Sequence, residues 1–276
     1  MTAGGASNLA LRLATAAVAV PIILYAVFIA PPWVFYLLAL AASLVGVHEL
    51  LAMTHPGDRA SQAIGVVVTA AASAAVYFRY DDPRTLVTVL AIVPVAGPLV
   101  TLVRLGPIET AALRASALGF APLFVGPPLA LLAALRPLMG PPGSGAVLLA
   151  LGLGWLADTF AYFAGRAFGR HKLYEAVSPK KTVEGAVGGL AGSVLWAVIA
   201  SLWFMRGSLP MAHAVPLALV AGVLGQLGDL AESLFKRSMG VKDSGALVPG
   251  HGGVLDRVDA VLATSAVVFL YALWVR

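Results

Sequence analysis

Carboxylates and cations recur at helical spacing in the second half of this 276-residue sequence. The stretch G-Q-L-G-D-L-A-E-S-L-F-K-R sets Asp229, Glu232 and Lys236 at i, i+3 and i+7. On one helix they form a single stripe of two carboxylates and an amine. Asp158 lies in G-W-L-A-D-T-F-A-Y-F-A-G-R, and Asp256 and Asp259 follow Gly252-Gly253 at i, i+3. Hard oxygen donors without cysteine or paired histidines suit Mg²⁺ far better than Zn²⁺, and Mg²⁺ is commonly held by one or two carboxylates plus substrate phosphates. Basic loops supply the complementary charge. One holds Ser178, Lys180, Lys181, Thr182 and Glu184; the other holds Lys236, Arg237, Lys242, Asp243, His251 and Arg257. Cations and carboxylates gathered in this way point to metal-assisted chemistry on a phosphate-bearing substrate.

Each of these residues also has a plainer reading. Asp256 has the position of an acidic N-cap favoured by a helix dipole. Glu232 with Lys236 is an ordinary i, i+4 pair, and Asp158 has the option of a hydrogen bond to a neighbouring helix. Lys180-Lys181 after an apolar run serves equally as a topology anchor. Ser178-Pro179 reads as a helix start, with Ser178 as N-cap, proline at the first position and Glu184 in the early turns. Free N–H groups and two lysines would then face the water side together, as a phosphate cradle. The glycines around His251 permit turns close to a ligand. They leave open whether His251 is a neutral hydrogen-bonding group, a base or a metal ligand. Convergence of so many polar groups favours a site over separate structural roles.

The elements that carry these residues are apolar to an unusual degree. The chain is 60% hydrophobic and 11% charged, against about 45–50% and 25% in soluble proteins. Nine runs have the roughly 20-residue length of a membrane-spanning helix. They lie near 10–30, 33–53, 61–78, 85–105, 108–135, 146–168, 183–205, 212–236 and 256–275. The expected fold is therefore an all-α integral membrane protein, a polytopic helical bundle. The fifth run contains Arg114, Pro122 and Pro127-Pro128 and reads either as one helix or as two shorter pieces. The first run is spanning length and is followed by many others, so it reads as helix one and not as a signal peptide.

Asp158 and Asp229 lie about 12 and 10 Å inward from the basic ends of their helices at 1.5 Å per residue. Charge at such depth costs at least about 2.5–3.5 kcal/mol and demands a reason. Nine of the 18 Lys and Arg residues fall within Arg166–Lys181 and Lys236–Arg257. Those two loops are two crossings apart, hence on one face, expected to be cytoplasmic in a cell (plasma or inner) membrane. Residues 1–140 read as a transmembrane scaffold and 141–276 as the catalytic region. The basic residues form no aromatic-interleaved soluble face, which argues against a nucleic-acid partner.

The run S-L-F-K-R-S-M-G-V-K-D-S-G-A-L-V-P-G-H-G-G-V-L-D-R-V-D, Ser233 to Asp259, closely resembles the signature of the phosphatidate cytidylyltransferases, also called CDP-diglyceride synthases. Val248 stands where that pattern usually has Leu, Ile or Phe. The upstream D-T-F-A-Y-F-A-G-R-A-F-G-R-H-K-L and S-P-K-K-T-V-E-G are similar too, so the specific resemblance covers about residues 155 to 260. It implies transfer of CMP from CTP to phosphatidic acid, giving CDP-diacylglycerol and pyrophosphate, with Mg²⁺ and, in some members, a monovalent cation such as K⁺. It implies that Asp229 and Asp256 hold metal with Asp259 and Glu232 close by. Ser178, Lys180, Lys181 and Thr182 would engage phosphates, with Asp158 and Glu184 in the same substrate region. Lys236, Arg237, Lys242, Asp243, His251 and Arg257 would complete the pocket. A homodimer in the bilayer is compatible with this reading. Rivals are a cytidylyltransferase for another lipid and an ion-coupled transporter using Asp158 and Asp229. The D-G-x-x-A-R pattern of CDP-lipid phosphotransferases is absent.

Overall fold

The computed structural model describes residues 3–247 and 252–275. Among them are nine α-helices: α1 (Ala3–Phe28), α2 (Pro32–Thr54), α3 (Arg59–Phe78), α4 (Pro83–Val103), α5 (Ala111–Met139), α6 (Gly143–Phe168), α7 (Val183–Leu202), α8 (Met211–Ser238) and α9 (Leu255–Trp274). Eight are long and apolar enough to cross a membrane, and the described apolar part of α1 is Ala14–Phe28. The expected all-α membrane bundle is what the chain forms. The fifth run is one helix, and Pro122, Pro127 and Pro128 do not divide it. Proline removes an N–H, yet such losses are tolerated in membrane helices whose neighbours hold them in place. Here Leu118, Ala121, Val125, Leu129 and Ala130 are all buried.

The chain forms two compact units. The first comprises the described residues of Met1–Ala133 and Asp243–Arg257, thus α1 to α4, most of α5 and the first turn of α9. Its helices meet through small residues, as lipid-embedded helices must when no water drives them together. A Cβ on Gly97 would lie 2.0 Å from the Ala115 carbonyl, and one on Gly119 would lie 2.8 Å from that of Pro94. Tyr36 and Tyr77 stack with ring centroids 3.8 Å apart. The Asp58 side chain accepts from Ser61 N at 3.2 Å and caps α3. It also pairs with Arg104 at 2.8 Å, and the guanidinium, followed by the Ser61 hydroxyl, holds its pKa well below the usual carboxylate range. Large apolar side chains of α4, such as Leu90, Ile92 and Leu102, point outward, as befits a lipid-facing surface.

The second unit is Ala134–Lys242 with Val258–Arg276, and here α7 packs on α6 and α8. The approach is again set by glycine: a Cβ on Gly188 would meet that of Ala164 at 2.3 Å, and one on Gly192 would meet Phe160 at 2.8 Å. Polar side chains bond across helices, with Ser193 Oγ donating to Leu153 O at 3.0 Å, Thr264 Oγ1 to Ala150 O at 2.9 Å and Gln226 Nε2 to Ala186 O at 3.1 Å. Within membranes such bonds average about 0.6 kcal/mol each, so their main contribution is to fix register.

The loop after α6 corrects one expectation. Ser178 does not cap a helix. Lys172–Tyr174 (β1) and Ser178–Thr182 (β2) form an antiparallel hairpin, with Lys172 opposite Thr182 and Tyr174 opposite Ser178. A residue before proline is pushed out of the helical region, which sends Ser178 into the strand. Helix α7 starts four residues later than Ser178-Pro179 suggests. Thr182 is its N-cap, at φ −125° and ψ 155°, accepting from Gly185 N, a cap worth about 1 kcal/mol.

Candidate active site

The hairpin is fastened at both ends. Glu184, in the first turn of α7, reaches back to the Arg170 amide at 3.1 Å and to His171 Nδ1 at 2.6 Å. Lys172 Nζ donates to Pro179 O at 2.6 Å, and Arg237 Nε, from the end of α8, donates to Val177 O at 3.3 Å. Held this way, β2 projects Lys181 onto α8, where its ammonium forms a close ion pair with Asp229.

Beside that ion pair opens a cavity of about 530 Å³ lined by Asp158, Arg166, Lys180, Lys181, Thr182 and Asp229 together with Ala161, Tyr162, Leu173 and Ala186. The lining thus mixes charges of both signs with apolar side chains. A molecule with a phosphate head and an apolar body matches both kinds of lining.

Asp229 also belongs to a second constellation. One carboxylate oxygen each from Asp229, Glu232 and Asp259 lie within 4.8 Å of one another. Helix α8 supplies the first two at i, i+3, and α9 supplies the third. The Asp259 carboxylate accepts from Ala260 N at 2.7 Å. Glu232, 1% exposed, pairs with Lys236 at 2.8 Å. Three carboxylates and two ammoniums therefore meet here, and Asp229 links cavity and cluster. An all-oxygen donor set of this size fits a hard divalent cation such as Mg²⁺.

The remaining sequence candidates distribute as follows. Ser178 is half-buried in β2, and Glu184 holds the loop at Arg170 and His171, outside the main cavity lining. Arg237 is spent on the carbonyls of Val177 and Val241. Lys242 is exposed just beyond α8. In the first unit, Asp243 and Arg257 are exposed. Asp256 lies within the first turn of α9, one residue past its start, not at the capping position before it. Its carboxylate accepts from Ser244 N at 3.0 Å and from Gly253 N at 2.8 Å. His251 lies outside the described residues.

Two residues escape the sequence reading. Tyr162 lines the cavity but resembles any other aromatic of a membrane helix. Glu49 is a buried carboxylate within the 33–53 run, and an ionisable residue inside a span is the signal that points to it.

Comparison with known proteins agrees with the motif reading. The matched relatives include the phosphatidate cytidylyltransferase of Staphylococcus haemolyticus, 46% identical over 116 residues, which are 42% of this chain and 44% of that protein. The phosphatidate cytidylyltransferase of Synechocystis sp. is 43% identical over 131 residues, 48% of this chain and 44% of that one. The chain thus matches a little under half the length of these curated relatives. The sequence model described as the cytidylyltransferase family spans residues 10–275, and on that coverage the chain belongs to the cytidylyltransferase family.

Proposed function

We propose that this chain is a CTP:phosphatidate cytidylyltransferase of phospholipid biosynthesis, acting at the cytoplasmic face of the cell membrane. The observation that carries the reading is the cavity lined both by Lys180, Lys181, Asp158 and Asp229 and by the apolar Ala161, Leu173 and Ala186. It joins the Asp229, Glu232 and Asp259 cluster through a shared residue. The printed names of the relatives support the substrate pair, and the lysine-bearing hairpin supports a cytoplasmic orientation.

In the proposed reaction a phosphate oxygen of phosphatidate attacks the α-phosphorus of CTP. The bond from that phosphorus to the α–β bridging oxygen breaks, and pyrophosphate leaves. A phosphate monoester is already largely ionised near pH 7, its second pKa being about 6, so no dedicated general base is needed. The task of the chain is positioning and charge neutralisation. Lys180 and Lys181 would hold polyphosphate oxygens, while Ala161, Tyr162 and Leu173 would pack against the lipid and exclude water. Asp229, Glu232 and Asp259 would hold Mg²⁺, which when bound would neutralise charge on the leaving group. Asp256, the other metal ligand that the resemblance implies, has its carboxylate on the amides of Ser244 and Gly253.

The direct test supplies purified protein with labelled CTP, phosphatidate and Mg²⁺. Labelled CDP-lipid and pyrophosphate are expected in equal amounts. Turnover only with a different phospholipid would redirect the substrate assignment, and no CDP-lipid with active controls would reject the reaction. The lysines have their own expectation. Removing a charge-assisted contact worth about 1.5–3 kcal/mol raises KM for CTP about 10–100-fold. That is expected for Lys180→Ala and Lys181→Ala, with the second larger because it also strips Asp229 of its ammonium. Unchanged CTP kinetics in both variants would make the lysines topology anchors.

A further inference from the structure

Glu49 stands five residues before the end of α2, followed by Leu50 and Leu51, which are 3% and 0% exposed. Its own exposure is 7%. A carboxylate buried in an apolar span is costly unless saturated with hydrogen bonds. Glu49 is saturated by a segment about two hundred residues away in sequence. Its Oε1 accepts from Val254 N at 3.0 Å, and its Oε2 accepts from Leu255 N at 2.9 Å. Ser244 Oγ lies 2.9 Å from Glu49 Oε2 and 3.1 Å from Asp256 Oδ2, so one hydroxyl proton is shared between two carboxylates.

Two of the three donors are backbone amides at the start of α9, which no turn of that helix can satisfy. The third, Ser244, lies at the opposite end of the same connection. One carboxylate thus ties Ser244, Val254 and Leu255 to α2. The fit is close: a Cβ on Gly245 would fall 2.5 Å from Glu49 Oε1, and one on Gly253 would fall 2.4 Å from Oε2.

We infer that Glu49 is a positioning residue for the proposed cytidylyl transfer: it ties Ser244 to the start of α9 and fixes that start, hence the setting of Asp256 and Arg257 in its first turn. The inference rests on the proposed reaction for its catalytic consequence, while the seating itself is a property of the fold. A helix start pinned at the Val254 and Leu255 amides cannot shift without breaking those bonds, and Asp256 and Arg257 follow directly. No contact of Glu49 with substrate is required.

The test is Glu49→Gln, which keeps shape and removes one acceptor. Whichever way the amide turns, its NH₂ faces a backbone N–H. Folded Glu49→Gln is expected to lose about 10–100-fold in kcat, the usual effect of losing a group that orients a ligand-bearing element. KM for CTP should stay within about threefold, since binding contacts remain. Amide hydrogen exchange at Val254 and Leu255 should speed up, and Glu49→Asp, which keeps the anionic acceptor, should recover part of kcat. Faster exchange in Glu49→Gln alongside a wild-type protein that makes no CDP-lipid would support the seating and reject the reaction. Exchange and kcat both at wild-type values, or a change confined to Tm, would overturn the inference. If Glu49→Gln does not accumulate, Ser244→Ala decides on the same readouts. A lower kcat with faster exchange supports it, and wild-type values in both overturn it.

Discussion

Asp229→Asn is expected to lower CDP-lipid formation by at least about 10³-fold, at the upper end of what removing one preorganised electrostatic group costs. The fold should survive. The substitution is isosteric, and Asp229 sits on α8, whose packing against α7 relies on Gly222, Gln226 and their partners. The size of the effect follows from the double role of the residue. It lines the cavity, and it is one of three carboxylates whose oxygens lie within 4.8 Å. An amide would leave the Lys181 ammonium facing a neutral group and reduce the cluster to two anions, weakening any divalent cation held there. The measurement is turnover at saturating CTP across a Mg²⁺ titration, beside a thermal unfolding curve in detergent. Near-wild-type turnover at ordinary Mg²⁺ would remove Asp229 from the chemistry and leave the cavity without its link to the cluster.

Gly253→Ala should have the second-largest effect, for a purely steric reason. The added methyl would lie 2.0 Å from Ser244 Oγ and 2.4 Å from Glu49 Oε2. Neither neighbour can retreat cheaply, because Glu49 is held by three donors and Ser244 by its bonds to Asp256. Relief requires the start of α9 to shift by an ångström or more. Displacement on that scale costs about 10²-fold in rate when it moves reacting or orienting groups, and overpacking costs about 1–3 kcal/mol in stability. A fall in kcat of that order is expected, with a lower Tm and faster amide exchange at Val254 and Leu255. Wild-type kcat and Tm together would show that this packing tolerates a side chain and that the segment is not tightly seated.

Both variants concern residues whose importance was unequally visible beforehand. Asp229 announces itself: it is a carboxylate inside an apolar run, spaced with Glu232 and Lys236 and followed by a 27-residue polar signature. The helices announce themselves too, since spanning length and charge-bounded apolar runs follow from the thickness of hydrocarbon alone. The hairpin does not. Ser-Pro followed by Lys-Lys-Thr satisfies the local rules for a helix start, and only pairing with Lys172–Tyr174 draws the same residues into a strand. The continuity of α5 through Pro122, Pro127 and Pro128 is likewise a matter of burial, which local propensity does not register.

By itself the sequence determined the membrane-spanning helical architecture, the concentration of basic charge in two loops, and the set of carboxylates from which a metal site could be drawn. Those follow from composition and from spacing along single helices, which are local properties. Tertiary structure decided how that set divides. Asp259 meets Asp229 and Glu232, whereas Asp256 is occupied with Ser244 and Gly253. It also decided that Lys181 is the lysine on Asp229, and that Glu49 holds amides some 205 residues onward. Two carboxylates three positions apart on a helix look alike in sequence; the elements packed around each give them different partners, and no spacing along one strand of sequence encodes a contact made across the fold.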